Sequence, residues 1–107
     1  MIRIVKLHFH PDKIDDFLAY FETVKHRIYD FPGCEGMKLL RDINIPEIVM
    51  TYSHWVNEEA LDNYRLSETF GEIWPFIKPW FAEKPEAWSV IEHFNGFDVK
   101  QLPNHLH

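Results

Sequence analysis

A single cysteine in 107 residues removes any intrachain disulfide framework, and Cys34 therefore fits a reducing compartment such as the cytoplasm. No lysine- and arginine-rich run occurs, and 17 acidic against 11 basic residues give a net charge of −6. Such a chain offers no phosphate-neutralising surface for nucleic acid. It is equally ill matched to an anionic membrane. Long apolar runs are lacking too. The opening MIRIVKLHFH is interrupted by Arg3 and Lys6, so it predicts neither a signal peptide nor a membrane span. There is no repeat or low-complexity segment, and the length suits one domain.

What the chain does have is aromatic residues, 16% of the total within a composition that is 46% hydrophobic. A small domain has much surface for its volume, so these rings do not all fit in one monomer core. A pocket or a partner subunit must cover the rest.

Hydrophobic spacing divides the chain into elements. Over the first ten residues, Val5, Leu7 and Phe9 alternate with Ile4, Lys6, His8 and His10, which predicts a strand. Pro11 and Asp12 suit the opening of a helix, along which Ile14, Phe17, Leu18, Phe21, Val24 and Ile28 form one apolar face. Pro32-Gly33 stops it. A second strand is expected over residues 36–41 and, after a turn, a third over 48–55. One face of the third strand carries Val49, Thr51, Ser53 and Trp55, small and polar in its middle; the other carries Ile48, Met50, Tyr52 and His54. Asn57 is a candidate N-cap for a helix that breaks near Ser67, itself a candidate cap. Phe70, Ile73, Trp74, Ile77 and Phe81 continue a helical stripe that Pro75 should bend at the Gly71 carbonyl. A fourth strand is expected over 87–94, which sets a domain of residues 1–94 apart from a tail of 95–107.

The order β-α-β-β-α-β predicts an α+β fold, a four-stranded antiparallel sheet with helices on one face. His8, Met50, Tyr52 and His54 are bulky and mixed on the bare face, which predicts a homodimer through sheet faces. Phe97 and Leu102 are candidate anchors for the tail on the partner subunit.

The run from Phe31-Pro32-Gly33 through Arg41-Asp42, Pro46, Trp55 and Ala60-Leu61 to Ser67 and Phe70 resembles the antibiotic biosynthesis monooxygenase family. Ala60-Leu61-Asp62-Asn63-Tyr64-Arg65-Leu66-Ser67-Glu68-Thr69-Phe70 is similar to that family's Ala-Leu-x-x-His-x-x-Ser-x-x-Phe helix. The resemblance implies a ferredoxin-like protomer, a dimeric α/β barrel, and oxidation of small phenolic, hydroquinone or polycyclic aromatic compounds by dioxygen without metal or flavin. It also implies a pocket for a small aromatic ligand walled by Val5, Leu7, Thr51, Ser53, Trp55, Tyr64, Phe70 and Trp74. In that pocket Trp55 and Tyr64 are the candidate catalytic residues in contact with substrate, and Thr51 or Ser53 would bond its oxygen. Tyr64 replaces the family's usual histidine, and a phenol of reference pKa near ~10 is a poor base at neutral pH.

Competing readings are weaker. His8 and His10 share a strand face but lie far from His54 and His93, and His105 and His107 fall in the tail, so no metal site is expected. Haem-degrading relatives would place asparagine, tryptophan and histidine where Val5, Tyr64 and Trp74 stand, and no iron ligand remains. Cys34 precedes acidic Glu35 and is expected to be inert. The runner-up function is a dimeric protein that binds a hydrophobic small molecule without chemistry. A third is protein docking through Trp74, Trp80 and Phe81.

Overall fold

In the computed structural model, which describes residues 1–97, strand β1 (Ile2–His8) is central and pairs on both edges. It runs antiparallel to β3 (Ile48–Trp55) and to β4 (Glu86–Val90), while β2 (Cys34–Arg41) lies outside β3, giving the order β2-β3-β1-β4. The register places Val5 opposite Thr51 and Ala87, and Arg3 opposite Ser53 and Ser89. One face of this sheet is covered by α1 (Ile14–Tyr29), α2 (Glu58–Arg65) and α3 (Glu68–Ile77), the last running on into a 3-10 turn at Lys78–Trp80. The expected α+β, ferredoxin-like protomer is the fold observed.

Several boundaries differ from the sequence expectation, each for a local reason. Strand β1 ends at His8; Phe9 keeps an amide bond to the Glu47 carbonyl and an isolated bridge to Phe81, and the His10 amide then turns to the Trp80 carbonyl. Pro11 and Asp12 do not open α1; they sit in a turn closed by Lys13 N–H on the His10 carbonyl, and the helix begins at Ile14 without a side-chain cap. Strand β2 starts two residues early, with an irregularity at Cys34/Gly36. Strand β4 ends at Val90 rather than Phe94, since Val90 already faces Ile2 and β1 has no further residue to pair. Helix α3 continues through Pro75 to Ile77 before tightening.

Packing falls into two clusters. Leu7, Phe9, Phe17, Phe21, Val49 and Ile77 form the larger, with Phe9 and Val49 wholly buried. Trp55, Ala60, Leu61 and Tyr64 form the smaller. An Arg27–Glu72 ion pair at 2.7 Å ties α1 to α3. The turn between β2 and β3 is fixed by Asp42, whose carboxylate accepts from the Asn44 and Ile45 amides and is thereby held below the usual carboxylate range.

The far side of the sheet is bare in the protomer. Leu40, Trp88 and Val90 are exposed there, beside Met50, Tyr52 and His54, and the His54 ring meets the Tyr52 hydroxyl at 3.2 Å. His8 faces Ile48 at one end of β1 and His54 faces Ile2 at the other, so the histidines stay apart. No three His, Cys, Asp or Glu side chains converge among the described residues. No described helix is long and apolar enough to cross a membrane. Leu102, His105 and His107 lie outside the described residues.

Candidate functional site

The two clusters leave a hollow of about 340 Å³ between the sheet and the helices. Why it exists follows from the sheet's middle rows. Thr51 and Ser53 on β3, and Ala87 on β4, are too small to reach the helices, so larger neighbours on either side hold the layers apart. The helices supply the opposite wall through residues spaced three or four apart: Leu61 and Tyr64 on α2, then Phe70, Ile73, Trp74 and Ile77 on α3.

The break between those helices is built by Ser67. Its hydroxyl donates to the Tyr64 carbonyl at 2.6 Å and accepts from the Phe70 amide at 3.2 Å. One side chain thus ends α2 and starts α3. Asn57 caps α2 in the same way, accepting from the Ala60 amide at 2.9 Å. The result is an aromatic wall in which Trp55, Tyr64, Phe70 and Trp74 touch in sequence with ring centroids 5.3, 5.4 and 5.5 Å apart.

All eight side chains singled out from the resemblance, Val5, Leu7, Thr51, Ser53, Trp55, Tyr64, Phe70 and Trp74, border this one hollow. They are not equally free to act. Trp55 is 1% exposed and its indole N–H is spent on the Ser53 hydroxyl at 2.9 Å. Ser53 in turn donates to the Arg3 carbonyl at 3.4 Å, so its hydroxyl is engaged on both sides. The hydroxyls of Thr51 and Tyr64 have no hydrogen-bond partner among the described residues, and both are available to a guest. Among the lining residues that the sequence reading did not name, two are charged. Arg3 shares the inward phase of Val5 and Leu7, and Arg65 follows Tyr64 at the end of α2. The alternation of β1 carried the first signal; a charge at an inward position is easily taken as an end effect.

Electrostatics sort the candidates further. Burial, aided by the nearby Cys34 and opposed by Arg27, pushes the Tyr64 phenol up to about 12. At neutral pH Tyr64 is therefore a hydrogen-bond donor and not a base. The Cys34 thiol is also raised, by burial first and by Glu35 and Asp30 as well, against a lowering influence of the Gly36 backbone. No carboxylate or imidazole lines the hollow among the described residues.

The Tyr64 shift has a consequence for stability. The folded state favours the neutral phenol, whereas an unfolded tyrosine ionises near ~10. Tyr64 thus contributes stability that is complete below about pH 10 and is lost as pH rises through about 12, a difference of roughly 3 kcal/mol. Tyr64→Phe should flatten the alkaline limb of a plot of urea midpoint against pH. An unaltered limb in the variant contradicts the assignment.

Comparisons with known proteins agree with this geometry. The family model described as antibiotic biosynthesis monooxygenase matches residues 1–74. A conserved protein of Methanosarcina mazei superposes with a TM-score of 0.74 at 25% identity, covering 80% of this chain and 86% of the other. A candidate antibiotic biosynthesis monooxygenase of Nitrosomonas europaea gives 0.79 at 14% identity, over 87% and 98% of the two chains. A protein of Mycobacterium tuberculosis gives 0.74 at 12% identity, over 88% and 97%. Among curated proteins no match was found. The match to the family model spans more than half the sequence and takes in β1, β2, β3 and α2 with most of α3: the chain belongs to the antibiotic biosynthesis monooxygenase family.

Proposed function

We propose that the protein is a cofactor-independent oxygenase of the cytoplasm that oxidises a small phenol or hydroquinone with dioxygen inside this hollow. The observation that supports it is a partly open, mostly apolar space of about 340 Å³ with two unengaged hydroxyls, Thr51 and Tyr64, on its wall. That volume is at the lower end of small-molecule sites, roughly 300–1,000 Å³, and suits one or two rings. In this reading Tyr64 and Thr51 bond the substrate oxygen, while Val5, Leu7, Phe70 and Trp74 hold the ring. Trp55 acts behind Tyr64, since its ring is buried and its N–H already bonded.

The chemistry asks little of the protein. A phenolate gives one electron to dioxygen, the resulting radical and superoxide combine at the para carbon, and loss of water leaves the quinone. For a phenol with a free para position the balance is one substrate plus O2 to one quinone plus H2O. Apolar walls keep competing water and protons from the intermediate.

Homodimerisation through the bare sheet face belongs to the same reading, supported by the exposure of Leu40, Trp88 and Val90. Sedimentation at micromolar concentration should give twice the protomer mass of 12.9 kDa. A lone protomer would remove the dimer from this proposal. The domain of residues 1–94 carries the hollow in this reading, and of the tail set apart from it residues 98–107 lie outside the described residues.

One observation favours a second reading, a binding protein without chemistry: the lining holds no base among its described residues, and Tyr64 is raised away from neutrality. An oxygen electrode separates the two. With a panel of naphthols and hydroquinones, uptake above the protein-free rate is expected, falling about tenfold in Tyr64→Phe as one substrate hydrogen bond is lost. Ligand binding with no uptake by any compound establishes the binder.

A further inference from the structure

Arg3 and Arg65 place two guanidinium groups on the wall of a hollow that has no acidic side chain among its described lining residues. Arg3 sits mid-sheet, in a row between Ser89 and Ser53. Its Nη1 donates to the Ser89 hydroxyl at 3.0 Å, and four of its five side-chain donors remain for a guest. Arg65 ends α2 and is exposed. Neither forms an ion pair among the described residues, in a protein where Arg27 and Lys25 each meet a carboxylate at 2.7 Å. With a net charge of −6 there is no shortage of carboxylates to pair with. Asp62, one turn before Arg65, favours the Arg3 charge but lies outside the lining. Burial and the charge of Arg65 both pull the Arg3 guanidinium down from its ordinary value. An anion between the two would relieve that repulsion.

The hollow is therefore graded. Along β1 its lining passes from Arg3 through Val5 to Leu7, and Leu7 packs with Phe17, Phe21 and Ile77. We propose that Arg3 and Arg65 form an anion-binding mouth, so that the guest is an aromatic compound held by an ionised oxygen, a carboxylate or a phenolate, with its ring toward Leu7. This deepens the oxygenase reading and rests on it for the aromatic body alone. It also supplies what the lining lacks. Two positive charges favour phenolate over phenol, the O–H bond gives its proton to solvent water, and the electron pair stays on the oxygen that Tyr64 can bond. No side chain has to act as a base.

Calorimetric titration at pH 7 with three compounds of one ring system, 2-naphthoate, 2-naphthol and 2-methoxynaphthalene, tests the mouth. Naphthoate should bind at least about tenfold more tightly than methoxynaphthalene, the scale of one charge-assisted hydrogen bond. Arg3→Gln with Arg65→Gln should abolish that advantage while methoxynaphthalene affinity stays within about twofold, the sign of an intact hollow. Arg3→Lys with Arg65→Lys should keep most of it. An absorbance titration of bound 2-naphthol distinguishes the sources: a pKa lowered by about one or more assigns the mouth to phenolates, and an unmoved one beside arginine-dependent naphthoate binding assigns it to carboxylates. Equal affinity for the charged and neutral compounds, or an advantage that survives loss of both arginines, overturns the proposal. Arginine-dependent binding without oxygen uptake keeps the mouth and removes the oxygenase, whereas charge-blind binding with uptake does the reverse.

Discussion

Trp55→Ala should lower the stability of this protein by about 3–5 kcal/mol, the usual cost of emptying a fully buried aromatic site. Trp55 is 1% exposed, packs against Tyr64 and Phe31, and gives its indole N–H to Ser53. Alanine opens a void beside the hollow and leaves the Ser53 hydroxyl without its donor. Domains of this size have roughly 5–15 kcal/mol in all, so a fall in melting temperature of roughly 15 °C or more is expected. Trp55→Phe keeps a ring but not the N–H, and should cost about 1–2 kcal/mol. Calorimetric melting of the three proteins provides the check. An alanine variant that melts within a few degrees of the parent would show that the ring is not held as described. The same comparison guards the functional reading, because activity lost in Trp55→Ala is attributable to the support Trp55 gives Tyr64 only if the fold survives.

Gly33→Ala should be the most damaging single methyl addition in the chain. Gly33 has φ +88°, a left-handed conformation that costs an L side chain about 1–2 kcal/mol. A β-carbon there would also overlap the Ala60 methyl at the start of α2. Overpacking of that kind adds about 1–3 kcal/mol, for a total near 3 kcal/mol. Because Ala60 opens the helix that carries Tyr64 and Arg65, relief by shifting α2 would also distort the wall of the hollow. The double variant with Ala60→Gly should recover the steric part and leave the conformational part, which a double-mutant cycle in urea resolves. If Gly33→Ala alone is neutral, the close approach of this turn to α2 is disproved. Gly36→Ala lacks the steric part, since a β-carbon there meets nothing within 4 Å, and should keep only the conformational cost of its φ of +153°.

Most of the architecture could be read along the chain because its signals are local. The alternation in β1 and β3, the helical spacing from Ile14 to Ile28, and the capping residues Asn57 and Ser67 each act through near neighbours. Element ends were harder, and the reason is plain at β4. Nothing in Ile91 to Phe94 forbids a strand; pairing stops because the partner strand has ended. Pro11 and Asp12 show the same limit, being taken up by a turn that closes on His10.

The candidate site divides the same way. Its eight side chains could be named from the resemblance, yet their availability could not. Whether the Ser53 hydroxyl is free depends on Trp55 and on the Arg3 carbonyl fifty residues away, and the Tyr64 phenol is shifted by burial among side chains brought from four elements. Periodicity and capping, which act between neighbouring residues, were enough for the order and inward phase of the strands and helices, and the motifs from Phe31 to Phe70 carried the resemblance to the family. Which hydroxyls are left open to the space between the layers, and that Arg3 and Arg65 share its wall, emerged with three-dimensional packing alone. Cavities and unpaired charges are what remains after every other group has found its partner, and that remainder exists only once the chain has closed on itself.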